Sequence, residues 1–149
     1  MAVTPLSLTG RALRLLSGRE HSRAELERKL KPYEEEPGAL PAVLDKLQAK
    51  DFINEGRVIA SVLHRRSAKL GTQRIKQELQ AKGLEPEAVA QALDQLRGSE
   101  VERAREVWRK KFGTAPTDAA ERGKQMRFLA SRGFGGDTIH KVVSGGEDD

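Results

Sequence analysis

The side chains best suited to chemistry in this chain are its lysines and arginines, which are concentrated in the middle of the sequence. The 149 residues carry a net charge of +5, and the window 57–82 alone carries +6, with seven basic residues and one acid. A second window, 103–111, holds five basic residues and one acid. Guanidinium and ammonium groups bind phosphates and carboxylates, so this polarised centre predicts a polyanionic or acidic partner.

A solvated helix face is the ordinary explanation for a charge run, and one basic residue argues against it. At about 100° per residue, Arg66 falls near the centre of the apolar stripe formed by Val58, Ile59, Val62 and Leu63. Its side chain therefore either extends past the helix end to water or lines a groove between structural units. We predict a binding face made of this cluster and the basic residues around it: Arg57, Arg65, Arg66, Lys69, Arg74, Lys76, Lys82, Arg103, Arg109, Lys110, Lys111, Lys124, Arg127 and Arg132.

Metal and catalytic chemistry find little support in the sequence. His21, His64 and His140 are far apart and the chain has no cysteine, so we predict no metal site and expect these histidines to be exposed or at helix ends. The phosphate-binding pattern G-x-x-x-x-G-K-[ST] is absent, and the glycine-rich stretch 133–136 lies between two predicted helices rather than after a strand. We therefore predict a protein that is not an enzyme and needs no cofactor.

The aromatic and apolar residues indicate small helical cores. Trp108 and Tyr33 could stack on bases, but Trp108 stands four residues before Phe112, and we predict that it is part of a core. No apolar run reaches the roughly 18 residues of a membrane span, and the N-terminus lacks the apolar stretch of a signal peptide. We expect no membrane association and a cytoplasmic location.

A degenerate repeat of about 50 residues organises the chain. An offset of 49 carries Leu26, Leu30, Leu40, Leu44 and Leu47 onto Ile75, Leu79, Val89, Leu93 and Leu96. An offset of 50 carries Leu79, Gly83, Leu84, Val89 and Leu93 onto Leu129, Gly133, Phe134, Ile139 and Val143. Such a period indicates stacked supersecondary units, which commonly bind macromolecules along an extended face.

Helix signals recur along the chain, and no segment has the alternating pattern of a strand. Ser22–Glu25 and Ser99–Glu102 have the spacing of a capping box. The predicted helices are 6–18, 22–31, 37–49, 54–69, 72–82, 86–97, 100–112, 117–132 and 137–144. We predict an all-α fold, an elongated, curved array of three tandem three-helix repeats at 1–51, 52–98 and 99–144. A disordered acidic tail is expected at 145–149.

Three sequence motifs follow one another in the order of the repeats. The first is Ala12-Leu13-x-Leu15-Leu16-Ser17-x-Arg19-Glu20-His21-Ser22-x-x-Glu25-Leu26-x-x-Lys29-Leu30. The second is Gly71-x-x-Arg74-Ile75-x-x-Glu78-Leu79-x-x-Lys82-Gly83. The third is Arg127-Phe128-Leu129-x-x-Arg132-Gly133-Phe134, followed by Ile139 and Val142-Val143. Together they cover nearly the whole chain, and they resemble the motifs of the RecX family of bacterial recombination regulators.

The resemblance implies a similar array of three-helix repeats that binds the RecA recombinase and its nucleoprotein filament. It implies a modulator, mainly an inhibitor, that lodges in the groove of the RecA–DNA filament. There it would limit strand exchange, ATP hydrolysis and the co-protease activity behind the SOS response, and so influence homologous recombination and DNA repair. We expect a monomer that contacts RecA, RecA–DNA filaments and single- or double-stranded DNA through its basic face.

An alternative hypothesis follows from the same residues. Three-helix units are similar to helix-turn-helix folds, and a basic face would also bind phosphates directly. The chain could therefore be a helical-repeat protein that acts mainly on DNA itself. Binding to RecA and a steep salt dependence of binding to bare DNA distinguish the two hypotheses.

Overall fold

The computed structural model describes residues 6–145, and this part of the chain is helical without a strand. The elements are α1 Leu8–Gly18, α2 Arg23–Leu30, a short 3₁₀ helix Lys31–Tyr33, α3 Ala39–Ala49, α4 Glu55–Arg66, α5 Thr72–Ala81, α6 Pro86–Arg97, α7 Glu100–Lys111, α8 Ala119–Ser131 and α9 Gly136–Val143. They form repeat one (α1–α3), repeat two (α4–α6) and repeat three (α7–α9). The predicted all-α fold of three three-helix repeats is confirmed. The predicted tail lies outside the described residues except for its first position.

Each repeat buries a hydrophobic core of its own, and equivalent positions of the sequence repeat lie at equivalent places in these cores. Leu26 of α2 and Ile75 of α5 are both fully buried, as are Leu79 of α5 and Leu129 of α8. Burial of one such side chain contributes about 1.5–3 kcal/mol. The repeat of about 50 residues therefore corresponds to three separate hydrophobic cores rather than to one continuous core.

Two local predictions, both about capping boxes, had different outcomes. At the start of α2, Ser22 Oγ accepts from the Glu25 N–H at 3.1 Å, and Glu25 Oε1 accepts from the Ser22 N–H at 3.0 Å, which confirms the first. The second prediction, Ser99–Glu102, is wrong. The Ser99 hydroxyl donates to Leu96 O at 3.1 Å, because α7 starts directly after α6 and the last carbonyls of α6 are within its reach.

Helix bounds differ from the predicted ones at the end of α4. The helix ends at Arg66, three residues before the predicted end, and a turn occupies 67–70. The carbonyls of Ser67 and Leu70 accept hydrogen bonds from Arg103 of repeat three, at 2.8 and 2.7 Å. A regular helix would direct the Ser67 carbonyl along its own axis, so this tertiary contact takes the place of the last helical turn.

The middle helices of the three repeats are α2, α5 and α8. The C-terminal end of each later one contacts the N-terminal end of the one before it. At the first junction, where α5 ends against the start of α2, Ser22 Oγ donates to Lys82 O at 2.6 Å. At the second junction, where α8 ends against the start of α5, the Gly71 N–H donates to Arg132 O at 2.8 Å. Free N–H groups at a helix start and free carbonyls at a helix end carry opposite partial charges. The two junctions therefore use the same attraction.

A glycine stands at the same place in both junctions. Gly83 and Gly133 have φ angles of 66° and 92°, in the left-handed region that ends a helix. A Cβ at Gly83 would lie 2.8 Å from Ala24 Cβ, and one at Gly133 would lie 2.3 Å from Arg74 Cγ. Both positions thus require a left-handed backbone and leave no room for a side chain.

The first junction also contains a buried ion cluster around Glu25. The carboxylate accepts from Arg19 Nη2 at 2.7 Å and from Lys82 Nζ at 3.2 Å, in addition to its capping bond with Ser22. Glu25 and Lys82 are 5% and 9% exposed. Burial alone would raise the pKa of Glu25, but the bonds from Arg19, Ser22 and Lys82 lower it to about 2.

We predict that Glu25→Gln lowers the free energy of unfolding at pH 7 by about 3 kcal/mol. The carboxyl pKa falls from 4.5 to about 2 on folding, and each pKa unit corresponds to about 1.4 kcal/mol. Because the folded pKa is the lower one, this stability is complete above pH 4.5 and is lost as the pH falls towards 2. Urea unfolding at pH 7, 4 and 2.5 measures the difference.

The control for this variant is Glu27→Gln on the same helix. Glu27 is exposed and pairs with Arg23 at 3.4 Å, so its substitution should change stability by less than about 0.5 kcal/mol. The difference between Glu25→Gln and the wild type should shrink as the pH falls. A difference that stays constant from pH 7 to pH 2.5 would show that packing, and not charge, causes the loss.

Candidate functional site

A surface cleft of about 450 Å³ lies at the second junction, where repeat two meets repeat three. Its wall combines the end of α4, one face of α5 and the residue after α8. We call it the junction cleft, and its lining residues are Arg66, Lys69, Leu70, Arg74, Gln77, Glu78 and Arg132. Four of these seven are basic and one is acidic, so the lining carries a charge of +3.

The fold brings these four cations together from three separate segments. Arg66 is the last residue of α4, Lys69 lies in the turn that follows, and Arg74 is in the first turn of α5. Arg132 caps the end of α8 and joins them because that helix end rests against the start of α5. The end-to-start junction therefore creates the cationic cleft.

The acid Glu78 neutralises part of the cleft. It accepts from Arg66 Nε at 3.1 Å and lies 3.7 Å from Arg65 Nη2. Arg66 is half-exposed and takes the second of the two places predicted for it, in a groove between repeats. Glu78 leaves Lys69, Arg74 and Arg132 as the cations of the lining that make no ion pair within the described residues.

Arg74 has a double role at this site. Its Nη1 donates to Ser131 O of repeat three at 2.7 Å, and its side-chain stem lies beneath Gly133. A guanidinium has five N–H donors, so this one bond leaves further donors for a ligand. Arg74 thus lines the cleft and holds one end of the junction at the same time.

Three of the predicted binding residues make intramolecular contacts that hold the structure together. Arg57 bonds Glu20 Oε1 at 2.9 Å and Asp51 Oδ2 at 2.9 Å, and Lys82 is buried against Glu25. Arg103 is half-buried, and besides its bonds to the 67–70 turn it lies 3.4 Å from Thr72 Oγ1. A ligand-binding role for Arg57, Lys82 and Arg103 remains a prediction.

The other predicted residues are spread over repeats two and three and do not join the cleft. Lys76 is half-buried on α5, and Arg109 pairs with Glu106 on the surface of α7. Near the end of α7, Lys111 lies over the Phe128 ring at 5.5 Å, while Arg132 lies over the same ring at 4.9 Å. The residues that remain, all exposed, are Lys110, Lys124 and Arg127.

Gln77 is a lining residue that the charge-based prediction missed. It stands three residues after Arg74 on α5, so both side chains share one helix face. A search for amides spaced at i, i+3 from the basic residues would have identified it. Its amide adds a neutral donor to the cleft, which a count of charges cannot detect.

Trp108 and the three histidines differ in how far they are buried. Trp108 is partly buried against the third core and donates from Nε1 to Gln125 Oε1 at 2.8 Å, as expected of a core residue. His64 and His140 are exposed, whereas His21 is 2% exposed and lies at a helix end, just before the Ser22 cap. All three histidines therefore fit the prediction that they are exposed or at helix ends.

The surroundings of His21 fix its protonation. Its Nε2 lies 3.1 Å from Lys29 Nζ, and an ammonium group can only donate, so Nε2 accepts and the proton sits on Nδ1. Nδ1 then donates to Arg19 O at 3.0 Å. Burial lowers the pKa of His21, and the charges of Arg19 and Lys29 lower it further.

The part of the chain that the structure describes has neither a metal-binding cluster nor a membrane-spanning helix. Residues 6–145 contain no group of histidine, aspartate and glutamate side chains placed to hold a metal ion. No helix among them combines the length and the apolar character that crossing a membrane requires.

Family models match all three repeats in order. The first, second and third three-helix domains of RecX match residues 10–47, 54–93 and 99–143. A protein named Regulatory protein RecX from Leptothrix cholodnii is 54% identical over 93% of this chain and 88% of its own length. One of the same name from Ralstonia nicotianae is 44% identical over 96% of this chain and 90% of its own.

Solved structures share the fold. The crystal structure of RecX from Lactobacillus salivarius covers 92% of both chains with a TM-score of 0.73 at 23% identity. A crystal structure of a regulatory protein RecX covers 97% of this chain and 82% of its own, with a TM-score of 0.77 at 20% identity. At these identities the likeness concerns the fold alone.

We predict that Gly133→Ala lowers the free energy of unfolding of repeat three by about 2 kcal/mol or more. The new Cβ meets Arg74 and forces a left-handed backbone on an alanine, which is costly. Trp108, the only tryptophan, reports on repeat three during urea unfolding. The control is Gly136→Ala at the first residue of α9, where an added Cβ would have no neighbouring atom within 4 Å. This substitution should leave stability unchanged or raise it by up to about 1 kcal/mol. Equal stabilities of the two variants would contradict the tight second junction.

Proposed function

The chain belongs to the RecX family, and from this membership we propose that it regulates the RecA recombinase, mainly as an inhibitor. The match to all three RecX domains in order is the observation that carries the proposal. The protein acts by binding RecA and the RecA–DNA filament, not by catalysing a reaction. It works as a monomer in the cytoplasm.

We propose that the basic face lodges in the groove of the RecA–DNA filament, with the junction cleft at its centre. The cleft concentrates a charge of +3 on a polar, exposed wall between two repeats. A filament groove offers acidic protein surface and nearby phosphates, which such a wall attracts. Occupation of the groove limits strand exchange, ATP hydrolysis and the SOS co-protease activity.

The wild-type chain should inhibit RecA-driven strand exchange at fewer than one molecule per RecA protomer. The variant Lys69→Gln/Arg132→Gln removes two cations of the cleft that make no ion pair within the described residues, and it should need a several-fold higher concentration for the same inhibition. Lys46→Gln/Lys50→Gln removes two exposed lysines of repeat one and serves as the matched control. The absence of any binding to RecA, free or in filaments, would refute the proposed function.

The alternative, a protein that acts mainly on DNA itself, is favoured by one observation. Arg74 and Arg132 place two guanidinium groups in one cleft, and guanidinium is well matched to phosphate oxygens. Under this alternative the protein binds bare DNA tightly without RecA. The two functions are compatible, because contact with a filament can include contact with its DNA.

Binding to bare duplex DNA should weaken linearly on a plot of log affinity against log salt concentration. Each phosphate contact contributes about −0.9 to the slope. Lys69→Gln/Arg132→Gln should therefore make the slope less negative by about 2, whereas Lys46→Gln/Lys50→Gln should leave it unchanged. Fluorescence anisotropy of labelled duplex between about 50 and 300 mM salt measures the slope. A flat salt response of the wild type would reject DNA as the main target.

A further inference from the structure

The two junctions join equivalent helix ends but place different charges at equivalent positions. The offset of 49 that aligns repeat one with repeat two carries Glu25 onto Arg74. The offset of 50 that aligns repeat two with repeat three carries Lys82 onto Arg132. The pair of positions that holds an acid and a base at the first junction therefore holds two bases at the second.

The first junction is neutralised within the chain. Lys82 Nζ lies 3.2 Å from Glu25 Oε2, and both side chains are almost completely buried. Burial of an ammonium group is tolerated only with a partner of opposite charge. The carboxylate of Glu25 thus closes the first junction, and no ligand can enter there.

The second junction has no such carboxylate between its two cations. Glu100 takes over the capping of α5 by accepting from the Thr72 N–H at 3.0 Å, and its other oxygen accepts from Thr138 Oγ1 at 2.7 Å. Within the described residues Arg74 and Arg132 make no ion pair, and both are exposed at the junction cleft. Arg74 stands at the repeat position of Glu25, so two cations line the cleft where the first junction holds an ion pair.

We propose that the junction cleft binds a phosphate group of a nucleic-acid backbone, which takes the place that the Glu25 carboxylate takes at the first junction. This inference deepens the proposed function and rests on it. Arg74 supplies its free guanidinium donors from repeat two, Lys69 adds an ammonium group, and Arg132 approaches from repeat three. The bound phosphate bridges the two repeats.

The lining favours phosphate over an acidic protein surface. A guanidinium group can donate two parallel hydrogen bonds to the oxygens of one phosphate. The Gln77 amide adds a neutral donor. Leu70 is the single apolar residue of the lining, whereas protein–protein interfaces are built around an apolar, largely desolvated core. A wet, cationic wall with one apolar contact suits a backbone phosphate, which needs no base-specific contacts.

A bridging ligand links binding to the docking of repeat three. A ligand that binds only when repeat three is packed against repeat two stabilises that packing. By reciprocity, a variant with looser packing at this junction binds the ligand more weakly. Arg103 does not itself line the cleft and provides a way to loosen the junction, because it bonds the Ser67 and Leu70 carbonyls of the 67–70 turn from repeat three. Arg103→Lys keeps the net charge and removes the guanidinium whose Nη1 donates to both carbonyls.

The first test measures binding of a labelled oligothymidylate of about 16 nucleotides to the full-length chain by fluorescence anisotropy. Arg74→Glu supplies the missing carboxylate within the chain and should weaken binding at least about tenfold. The matched control Arg14→Glu, an exposed site on α1, should weaken it less than about threefold. Arg132→Gln, which leaves the backbone bond from Gly71 in place, is the second variant should Arg74→Glu not fold. Unchanged affinity in both cleft variants would overturn the proposal.

Competitors identify the ligand chemistry. Unlabelled oligothymidylate should displace the probe, tripolyphosphate should do so only at higher concentration because it offers no extended backbone, and polyglutamate of equal charge should be weaker than both. Displacement by tripolyphosphate at the same concentration would assign the cleft to free phosphate compounds. Equal displacement by polyglutamate would assign it to an acidic protein surface. Either outcome contradicts the nucleic-acid site.

The second test measures the linkage. Oligothymidylate should raise the urea midpoint of the Trp108 fluorescence transition in the wild type and leave it unmoved in Arg74→Glu. Arg103→Lys should weaken oligothymidylate binding several-fold although no charge is lost. Arg103→Lys could unfold at a lower urea midpoint, as reported by Trp108 fluorescence, and still bind oligothymidylate as tightly as the wild type. That result would exclude a phosphate that bridges the two repeats. If Arg74→Glu binds oligothymidylate as the wild type does and still inhibits strand exchange, the cleft site fails while the RecA function stands.

Discussion

The structure depends on one constraint, the contact between the end of one middle helix and the start of the next. The first N–H groups of a helix have no partner within it, and at the second junction the Gly71 and Gln73 N–H groups bond Arg132 O and Gly133 O at 2.8 and 3.2 Å. Such bonds need two backbones in direct contact, which the glycine at position 133 permits. This contact sets the relative placement of the repeats, and the cleft lies where they meet.

Local sequence patterns predict the helices and their cores well. The aliphatic positions recur because each repeat must bury the same face of its middle helix, so Leu26 and Ile75 could be paired from the sequence before any contact was known. The cap at Ser22 is equally local, since both of its hydrogen bonds span three residues. The cap at Ser99 failed for a physical reason: the preceding helix end competes for the hydroxyl.

The candidate site is predicted less completely, because charge counts do not reveal pairing. Lys82 and Glu25 are 57 residues apart in the chain and meet only through the first junction. The same holds for Arg103, whose carbonyl partners belong to another repeat. Both residues belong to the basic windows of the sequence, yet their charges serve the fold. Charge counts therefore locate the basic windows but do not separate the cations held in intramolecular contacts from those that line the cleft.

The charge pattern at the junctions also explains why one is closed and the other open. Lys82 can be buried because Glu25 compensates its charge, and removal of Glu25 would leave the buried ammonium group unpaired. Arg74 and Arg132 lack a carboxylate between them, so their mutual repulsion and the cost of dehydration keep them at the surface. The cleft is thus the consequence of an acid replaced by a base at one repeat position. An acid at this repeat position closes the first junction with a buried ion pair, whereas a base at the equivalent position leaves a cationic cleft at the second.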